Sequence, residues 1–157
     1  MKPTRTKSPA GTYFVTFSTC QRARLFVVEN YAKLFLKALY EYERRGSFQL
    51  HAFVIMPEHV HLLLTPSEEF TLERVIQYIK GGYSRSFGLR FGLKKEVWQR
   101  GFTDHRIRDA QDFAVHREYI HQDPVRRGLV QNAAEYKYCS AFPGFRLDRW
   151  PAAAEAA

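Results

Sequence analysis

Strand-like and helix-like stretches alternate along the chain, and the period of the hydrophobic positions distinguishes them. Residues 11–20 alternate aromatic or β-branched side chains with polar ones, which predicts a first strand. Residues 48–56 and 59–65 are also strand-like, and only Pro57 and Glu58 separate them. Because a parallel connection needs a long crossover, so short a link predicts an antiparallel hairpin.

Apolar residues recur at three- and four-residue spacing in two longer segments. Residues 30–45 predict a first helix with Asn30 as its N-cap. Residues 71–92 predict a second helix, which we expect to be broken or weakened at Gly81 and Gly82 because glycine is a poor helix former. Each of these helices follows one predicted strand and precedes another.

The last third of the chain predicts a short fourth strand and a third helix. The strand lies within residues 97–108. The helix covers 109–122 and is expected to end at Asp123 and Pro124, because the residue before a proline avoids the helical conformation. The order strand, helix, strand, strand, helix, strand, helix is typical of an α+β, ferredoxin-like antiparallel sheet with helices on one face and the other face open.

The length of 157 residues predicts a single domain. We assign it to residues 11–145, between a disordered basic N-terminus at 1–10 and a tail at 146–157. No apolar run reaches the length that spans a bilayer, and the N-terminus lacks the apolar core of a signal peptide. The two cysteines, Cys20 and Cys139, form no C-x-x-C pair. These features predict a cytoplasmic protein without a disulfide framework.

The chain is basic, since 24 lysines and arginines against 16 acidic residues give a formal net charge of +8. Such an excess favours a polyanionic partner. Because the basic residues are interleaved with aromatic ones and not collected on one amphipathic helix, we expect nucleic acid, and hence association with the nucleoid, rather than a membrane surface. The candidate contacts are Lys80, Arg85, Arg90, Arg100, Arg106, Arg108, Arg126 and Arg127. For each of them alone, a solvated surface position is the competing interpretation.

Two histidines interrupt the third predicted strand, in the stretch VIMPEHVHLLLTP. Alternate side chains of a strand leave on the same face, so His59 and His61 project together while Val60 and Leu62 project to the other side. Two imidazoles that converge in this way are typical ligands of a divalent metal. The competing interpretation is a pair of half-exposed histidines on a sheet surface, because most metal sites need a third ligand.

The third predicted helix offers that ligand, in the stretch REYIHQDPVRRG. Tyr119 and Asp123 are four residues apart and therefore share a helix face. If this face meets the histidines, the result is a two-histidine, one-carboxylate site that suits Mg²⁺ or Mn²⁺ holding a phosphate. The hydroxyl of Tyr119 would then lie beside this site, and tyrosine is a residue type that can act as a covalent nucleophile. The alternatives are a tyrosine packed on the core and an aspartate that merely ends a helix.

The stretches that carry these residues resemble a known family. MPEHVHLLL is similar to the histidine-hydrophobic-histidine motif of the HUH single-tyrosine transposases, the IS200-like family, and YIHQDPVRRGLV is similar to their catalytic helix. The agreement continues in FVTFSTCQRARLF, VIQYIKGGYSRSF and VWQRGFTDHRIRD, in the same order over about residues 11–142. The chain most resembles the REP-associated tyrosine transposase branch. Each motif is weak alone, and jointly they are specific.

The resemblance implies that His59 and His61 hold Mg²⁺ or Mn²⁺ and that Tyr119 is the nucleophile. It implies attack of this tyrosine on single-stranded DNA, which gives a 5′-phosphotyrosine and a free 3′-hydroxyl that can rejoin. The family has asparagine or glutamine where this chain has Asp123, so the third ligand is either Asp123 or its neighbour Gln122. The REP-associated branch implies hairpin-forming DNA and a monomer with the tyrosine in cis, whereas the insertion-sequence enzymes are dimers.

Two rival functions fit part of the pattern. His59, His61 and Asp123 could form the facial triad of an iron oxygenase, although that explains neither the basic charge nor the neighbouring tyrosine. The chain could instead be a ferredoxin-like nucleic-acid-binding module without cleavage activity. A competent side chain at every expected site position favours the enzyme. Basic character does not separate single-stranded DNA from RNA, and the motifs do not separate a mobile-element transposase from a domesticated enzyme.

Overall fold

The computed structural model describes residues 7–150, in which a four-stranded sheet lies between layers of helix. The strands are β1 (Tyr13–Ser18), β2 (Phe48–Ile55), β3 (His59–Pro66) and β4 (Thr103–Arg106). The helices are α1 (Glu29–Arg44), α2 (Leu72–Phe91) and α3 (Ala110–Arg126). Short 3₁₀ turns lie at Cys20–Arg22, Leu25–Val27 and Ala133–Glu135. None of the helices within residues 7–150 is both long and apolar enough to cross a membrane.

The sheet has the strand order β2-β3-β1-β4, and every neighbouring pair is antiparallel. This arrangement confirms the α+β, ferredoxin-like fold predicted from the element order, and it confirms the hairpin between β2 and β3. The register sets Ser18 opposite His59 and Thr16 opposite His61. The strand that carries the histidines is therefore central in the sheet and flanked on both sides.

Helices α1 and α2 pack on one face of the sheet, where the main hydrophobic core lies. From β3 this core takes Val60 and Leu62, and the two helices contribute Phe35, Tyr83 and Phe87 among others. The alternation along β3 therefore confirms the prediction that Val60 and Leu62 point away from the histidines.

Two details of this helical layer differ from the sequence-based expectation. Val28, and not Asn30, is the N-cap of α1. Helix α2 is continuous, so the expected break at Gly81 and Gly82 is wrong. A Cβ atom at Gly82 would lie 2.6 Å from the hydroxyl oxygen of Tyr42, which shows that glycine here permits the close approach of α1. The packing of the two helices outweighs the low helix propensity of glycine, about 1 kcal/mol relative to alanine.

Helix α3 continues one turn past its predicted end and includes Pro124. Asp109 is its N-cap, as expected at a helix start. The predicted end at Asp123 is wrong because a local preference is outweighed by packing: Asp123 and Pro124 are both buried within the last turn. The extension keeps Asp123 in helical geometry, one turn after Tyr119.

The second face of the sheet, which was expected to stay open, is partly covered by α3 and by the segment that follows it. A second hydrophobic cluster lies there, with Val54 and Leu63 from the sheet, Met56 directly after β2, and Phe113 and Ile120 from α3. The part of this face beside the histidines is where α3 brings its polar side chains.

The segment at the end of the described chain also packs on this face. Trp150 stacks on Phe113 of α3 with ring centroids 4.4 Å apart, and Asp148 accepts a hydrogen bond from the backbone N–H of Leu50. Residues 146–150, assigned from the sequence to a tail, are thus held against the domain. The rest of that tail, 151–157, and residues 1–6 of the N-terminal segment lie outside the described residues.

Candidate active site

His59 and His61 lie on the face of β3 that meets α3, and both are buried. Their ring centroids are 4.6 Å apart. On the neighbouring strand, Oγ1 of Thr16 lies 2.7 Å from Nδ1 of His61. This contact leaves Nε2 of His61 directed at α3, beside Nε2 of His59.

Asp123 of α3 contacts both histidines through one carboxylate oxygen. Its Oδ2 lies 2.8 Å from Nε2 of His59 and 3.1 Å from Nε2 of His61. Gln122, the other candidate for the third ligand, is one residue earlier and is therefore rotated by about 100° around the helix axis. Of the two residues, the geometry favours Asp123.

Burial and mutual hydrogen bonds set the charge state of this cluster. Burial raises the pKa of the Asp123 carboxyl, but hydrogen bonds from His59 and His61 outweigh that effect and hold the pKa well below its ordinary value. Burial lowers the pKa of His61. An ionised carboxylate beside a neutral imidazole is the protonation state in which both groups can bind a cation.

The three side chains fit a divalent metal. Two imidazole nitrogens and one carboxylate oxygen converge so that the ligand atoms all lie within 4.8 Å of one another. Mixed nitrogen and oxygen ligands of this kind, with positions left for other ligands, are suited to metals that act on phosphate esters. The residues that would hold the metal are His59, His61 and Asp123, as the sequence predicts.

Glu58, which the sequence identifies only as a turn residue, supports His59 from behind. Its Oε1 lies 2.9 Å from Nδ1 of His59, 3.0 Å from a guanidinium nitrogen of Arg127 and 3.4 Å from one of Arg22. Burial raises the pKa of Glu58, but the hydrogen bonds from His59 and Arg127 outweigh it and lower the pKa. A carboxylate in this position fixes the orientation of a metal-binding histidine. The only signal for it in the sequence is its place directly before His59.

Tyr119 lies one helical turn before Asp123 and is 47% exposed. Its ring centroid is 5.7 Å from that of His61 and 5.9 Å from that of Phe14. One face of α3 thus presents a carboxylate buried against the histidines and a phenol open to solvent. This is the arrangement that the four-residue spacing predicts, and it leaves the hydroxyl accessible to a large substrate.

Arg126 links the tyrosine to the carboxylate. Its guanidinium carbon lies 4.0 Å from the centroid of the Tyr119 ring, a cation–π contact. The same guanidinium donates hydrogen bonds to the backbone carbonyl of Tyr119 at 3.0 Å and to Oδ1 of Asp123 at 3.3 Å. These contacts restrict the orientation of the ring, and the arginine stays 40% exposed beside it.

Two other tyrosines are poorly placed for nucleophilic attack. The hydroxyl of Tyr83 donates to the carbonyl of Tyr31, and that of Tyr136 donates to the carbonyl of Ile55. Burial raises the pKa of both phenols above its ordinary value. Of these three tyrosines, only Tyr119 is exposed.

A cleft of about 450 Å³ lies along β1, beside the histidines. Thr16 and Ser18, the register partners of the two histidines, line it together with Arg22, Arg100 and Phe102. Cationic side chains and an aromatic ring along a groove are suited to a single nucleic-acid strand. Arg100 is among the contacts predicted from the sequence, whereas Arg22 has no sequence signal beyond its charge.

Lys80, another predicted contact, forms hydrogen bonds with the backbone of two residues that line this cleft. Its ammonium group donates hydrogen bonds to the carbonyls of Gln99 and Gly101, at 2.9 and 2.8 Å. Burial lowers the pKa of Lys80. Its position therefore favours a structural role for the ammonium group in holding the cleft wall.

The remaining predicted contacts are not brought to the histidines. Arg85 and Arg90 are exposed on α2, in the helical layer on the opposite face of the sheet. Arg106 on β4 donates to the carbonyl of Ala10 at 2.6 Å. Arg108 follows β4 and is 77% exposed. Of the eight predicted basic contacts, Arg100, Arg126 and Arg127 lie beside the candidate site.

Comparison with known proteins relates this site to a family. The family described as "Transposase IS200 like" matches residues 8–123, a range that contains the two histidines, Tyr119 and Asp123. A REP-associated tyrosine transposase of Escherichia coli (strain K12) is 29% identical over 129 residues, which cover 82% of this chain and 74% of that protein. A Haemophilus influenzae protein, whose name also places it among the REP-associated tyrosine transposases, is 28% identical over 151 residues, which cover 90% and 85%.

A solved structure has a similar fold. It is described as a REP-associated tyrosine transposase bound to a REP hairpin. Its TM-score to this chain is 0.71 at 22% sequence identity, and the match covers 97% of this chain and 96% of that one. The likeness confirms the fold over nearly the whole chain.

Proposed function

The chain belongs to the IS200-like transposase family, and on that premise we propose that it cleaves and rejoins single-stranded DNA with Tyr119 as the nucleophile. We propose further that His59, His61 and Asp123 hold Mg²⁺ or Mn²⁺. The observation that carries the proposal is the position of α3. This helix sets a buried carboxylate against two histidines and presents an exposed phenol one turn away, beside the ring of His61.

Tyr119 forms the covalent bond in the proposed reaction. Its hydroxyl oxygen attacks the phosphorus of a phosphodiester, the bond from phosphorus to the 3′ oxygen breaks, and the phenol proton passes to solvent while the leaving 3′ oxygen takes up a proton. The products are a 5′-phosphotyrosine and a strand with a free 3′-hydroxyl. Attack of a 3′-hydroxyl on the phosphotyrosine reverses the step and joins two strands. Bound Mg²⁺ or Mn²⁺ supplies charge that polarises the phosphoryl oxygens.

The other side chains of the site position these groups. Glu58 orients His59, and Thr16 orients His61. Arg126 restricts the ring of Tyr119 and offers its exposed edge to a phosphate. Because the supports come from β1, from β3 with its preceding turn and from α3, the site depends on the docking of α3 against the sheet.

The proposed substrate is hairpin-forming single-stranded DNA of the repetitive palindromic kind. The solved structure described above holds a REP hairpin, and the cleft along β1 offers Arg22 and Arg100 to a backbone and Phe102 to an unpaired base. Since α3 packs on the sheet of its own chain, a monomer with the tyrosine acting in cis is sufficient. These features favour a domesticated enzyme over a mobile-element transposase. The family and the basic residues that line the cleft along β1 both favour DNA cleavage over the iron oxygenase.

Covalent trapping tests the proposal. The protein is incubated with Mn²⁺ and 5′- or 3′-labelled hairpin oligonucleotides, and the products are separated under denaturing conditions. We expect a protein–DNA adduct that carries the strand 3′ to the cut and that disappears with chelator and in Tyr119→Phe. Tyr78→Phe, a half-buried tyrosine on α2, is the matched control and should form the adduct normally.

The outcomes separate the rival functions. An adduct that survives in Tyr119→Phe would assign the nucleophile elsewhere. Binding without any adduct over a broad panel of hairpins, unaffected by chelation, would identify a nucleic-acid-binding module without cleavage activity. A variant with both His59→Ala and His61→Ala should lose the adduct and keep most of its DNA affinity, because affinity comes chiefly from the basic surface.

A further inference from the structure

A second group of two histidines and one aspartate lies at the N-terminal half of α3. Nε2 of His105, on β4, lies 2.8 Å from Oδ2 of Asp112, and Nδ1 of His116 lies 3.1 Å from Oδ1 of the same carboxylate. The ligand atoms of all three lie within 4.8 Å of one another. This group, the β4–α3 cluster, shares no residue with the candidate active site.

Asp112 is buried, and each of its two carboxylate oxygens contacts one of the two histidines. Its Oδ2 accepts a hydrogen bond from the backbone N–H of Arg108 at 2.9 Å and lies 2.8 Å from Nε2 of His105. A buried ionised carboxylate needs a positive partner. The guanidinium of Arg108 is 77% exposed and its Nε lies 3.6 Å away, so it compensates the charge only weakly.

The two rings are arranged so that both can serve one ion. The imidazoles of His105 and His116 are stacked with centroids 4.4 Å apart and planes 16° apart. Nε2 of His105 contacts the Asp112 carboxylate, whereas Nδ1 of His116 lies 3.1 Å from Oδ1 of that carboxylate and 2.8 Å from the backbone carbonyl oxygen of the same residue. The carboxylate is fixed by the N–H of Arg108, and its own backbone N–H is held by the side chain of Asp109. The side chain of His105 is 39% exposed, which leaves room for a water ligand.

We propose that the β4–α3 cluster is a second divalent-metal site, selective for Zn²⁺, in which His105, Asp112 and His116 are the protein ligands. Two imidazole nitrogens, one carboxylate oxygen and a water make the tetrahedral set that Zn²⁺ prefers. Mg²⁺ is disfavoured because it prefers six oxygen ligands. In the candidate active site, the phosphate of the proposed substrate would add oxygen ligands, which suit Mg²⁺ or Mn²⁺. The β4–α3 cluster faces no proposed substrate and therefore gains no such ligands.

The proposed site would join two elements on which catalysis depends. His105 is on β4, the edge strand that pairs with β1, and the other two ligands are on the helix that carries Tyr119. Phe14 of β1 contacts both ends of the arrangement, with ring centroids 5.1 Å from His116 and 5.9 Å from Tyr119. Zn²⁺ would therefore hold the catalytic helix to the edge of the sheet and stabilise the folded protein.

Metal titration in a variant without the first site tests this inference. In the His59→Ala, His61→Ala background, we expect calorimetric binding of one Zn²⁺ per chain, a Co²⁺ visible spectrum of tetrahedral intensity, and a higher Tm with Zn²⁺. Adding His105→Ala, or in a separate variant His116→Gln, should remove all three signals. His121→Ala is the matched control, a half-buried histidine on the same helix outside both clusters, and it should keep them.

Two results would overturn the second site. Absence of Zn²⁺ binding in the His59→Ala, His61→Ala background is one, provided that circular dichroism shows a folded protein. Unchanged Zn²⁺ stoichiometry after His105→Ala is the other. Because neither readout involves DNA, the second site can fail while the proposed cleavage activity stands, and the reverse also holds.

Discussion

His59 and Asp123 are joined by a 2.8 Å contact between Nε2 and Oδ2 although 64 positions separate them in the sequence. The contact docks the last turn of α3 on the central strand of its own sheet. It therefore determines where Tyr119, one turn earlier, stands relative to the histidines. The candidate site is a consequence of this docking more than of any single motif.

Asp123→Asn tests whether the site needs a carboxylate. We expect metal-dependent cleavage to be retained, because asparagine keeps an oxygen ligand in the same place and is a residue that the family uses there. The metal-free protein should lose about 1–3 kcal/mol of unfolding free energy, since charge-assisted hydrogen bonds to two buried histidines are weakened. Cleavage assays and urea unfolding measure the two effects. Complete inactivity would show that the negative charge has a role in the reaction.

Glu58→Gln tests the support behind His59. The amide keeps the size of the side chain but removes the charge that holds Arg127 and His59 together. We expect Mn²⁺ affinity to fall by about 10- to 100-fold, the usual effect of removing such a partner. Calorimetric titration with Mn²⁺ measures it, and Glu41→Gln, an exposed acidic residue on α1, is the control. Equal Mn²⁺ affinities in the two variants would show that Glu58 does not support the metal ligands.

Part of this site follows from sequence periodicity and part does not. The alternation in β3 predicts that His59 and His61 share a face, and the four-residue spacing predicts that Tyr119 and Asp123 do, because both rules depend on local geometry alone. The support of Glu58 by arginines from two distant segments does not follow, since nothing local encodes a long-range ion pair. For the same reason, the end of α3 is mispredicted where packing outweighs the effect of proline.

The sheet topology follows from the sequence better than the helix details do. The order of elements and the short β2–β3 connection allow few arrangements, so the ferredoxin-like order could be predicted. The continuity of α2 through Gly82 could not, because it depends on the ring of Tyr42 on another helix. The covering of the second face by the segment that ends in Trp150 is likewise a tertiary effect.

Arg126→Gln tests the positioning of Tyr119, the proposed nucleophile. Loss of the guanidinium removes the stacking on Tyr119 and the hydrogen bond to its carbonyl, so the phenol samples more orientations. We expect kcat to fall by about 100-fold with a smaller change in KM. Arg117→Gln is the control, because Arg117 stacks on Phe113 of the same helix at 5.5 Å. A pure KM effect in Arg126→Gln would make the residue a substrate contact and not a positioning one.

We expect the protonation of His51 to make stability depend on pH independently of the proposed metal ligands. Burial lowers its pKa from 6.5, while its nitrogens contact the carbonyl of Asp148 and Oγ1 of Thr65. The unfolded chain therefore binds a proton at His51 more readily than the folded chain does. The contribution of the neutral His51 to the free energy of unfolding is present above pH 6.5 and is lost as the pH falls below that value. Urea unfolding over this range should show a shallower decline in His51→Gln than in the unaltered protein. Parallel curves would contradict the assignment.

Arg100→Gln tests whether the cleft along β1 contributes to DNA affinity. If this exposed side chain neutralises one phosphate, Arg100→Gln should weaken the binding of all single strands alike. The affinity should also depend less on salt, so that the magnitude of the slope of log K against log salt falls by about 0.7. Lys37→Gln removes the same charge from the exposed side of α1, on the opposite face of the sheet, and should leave the slope unchanged. Fluorescence anisotropy with a short labelled hairpin at several salt concentrations measures both. Equal slopes for the two variants would mean that the DNA follows another path, since net charge alone would then account for the binding.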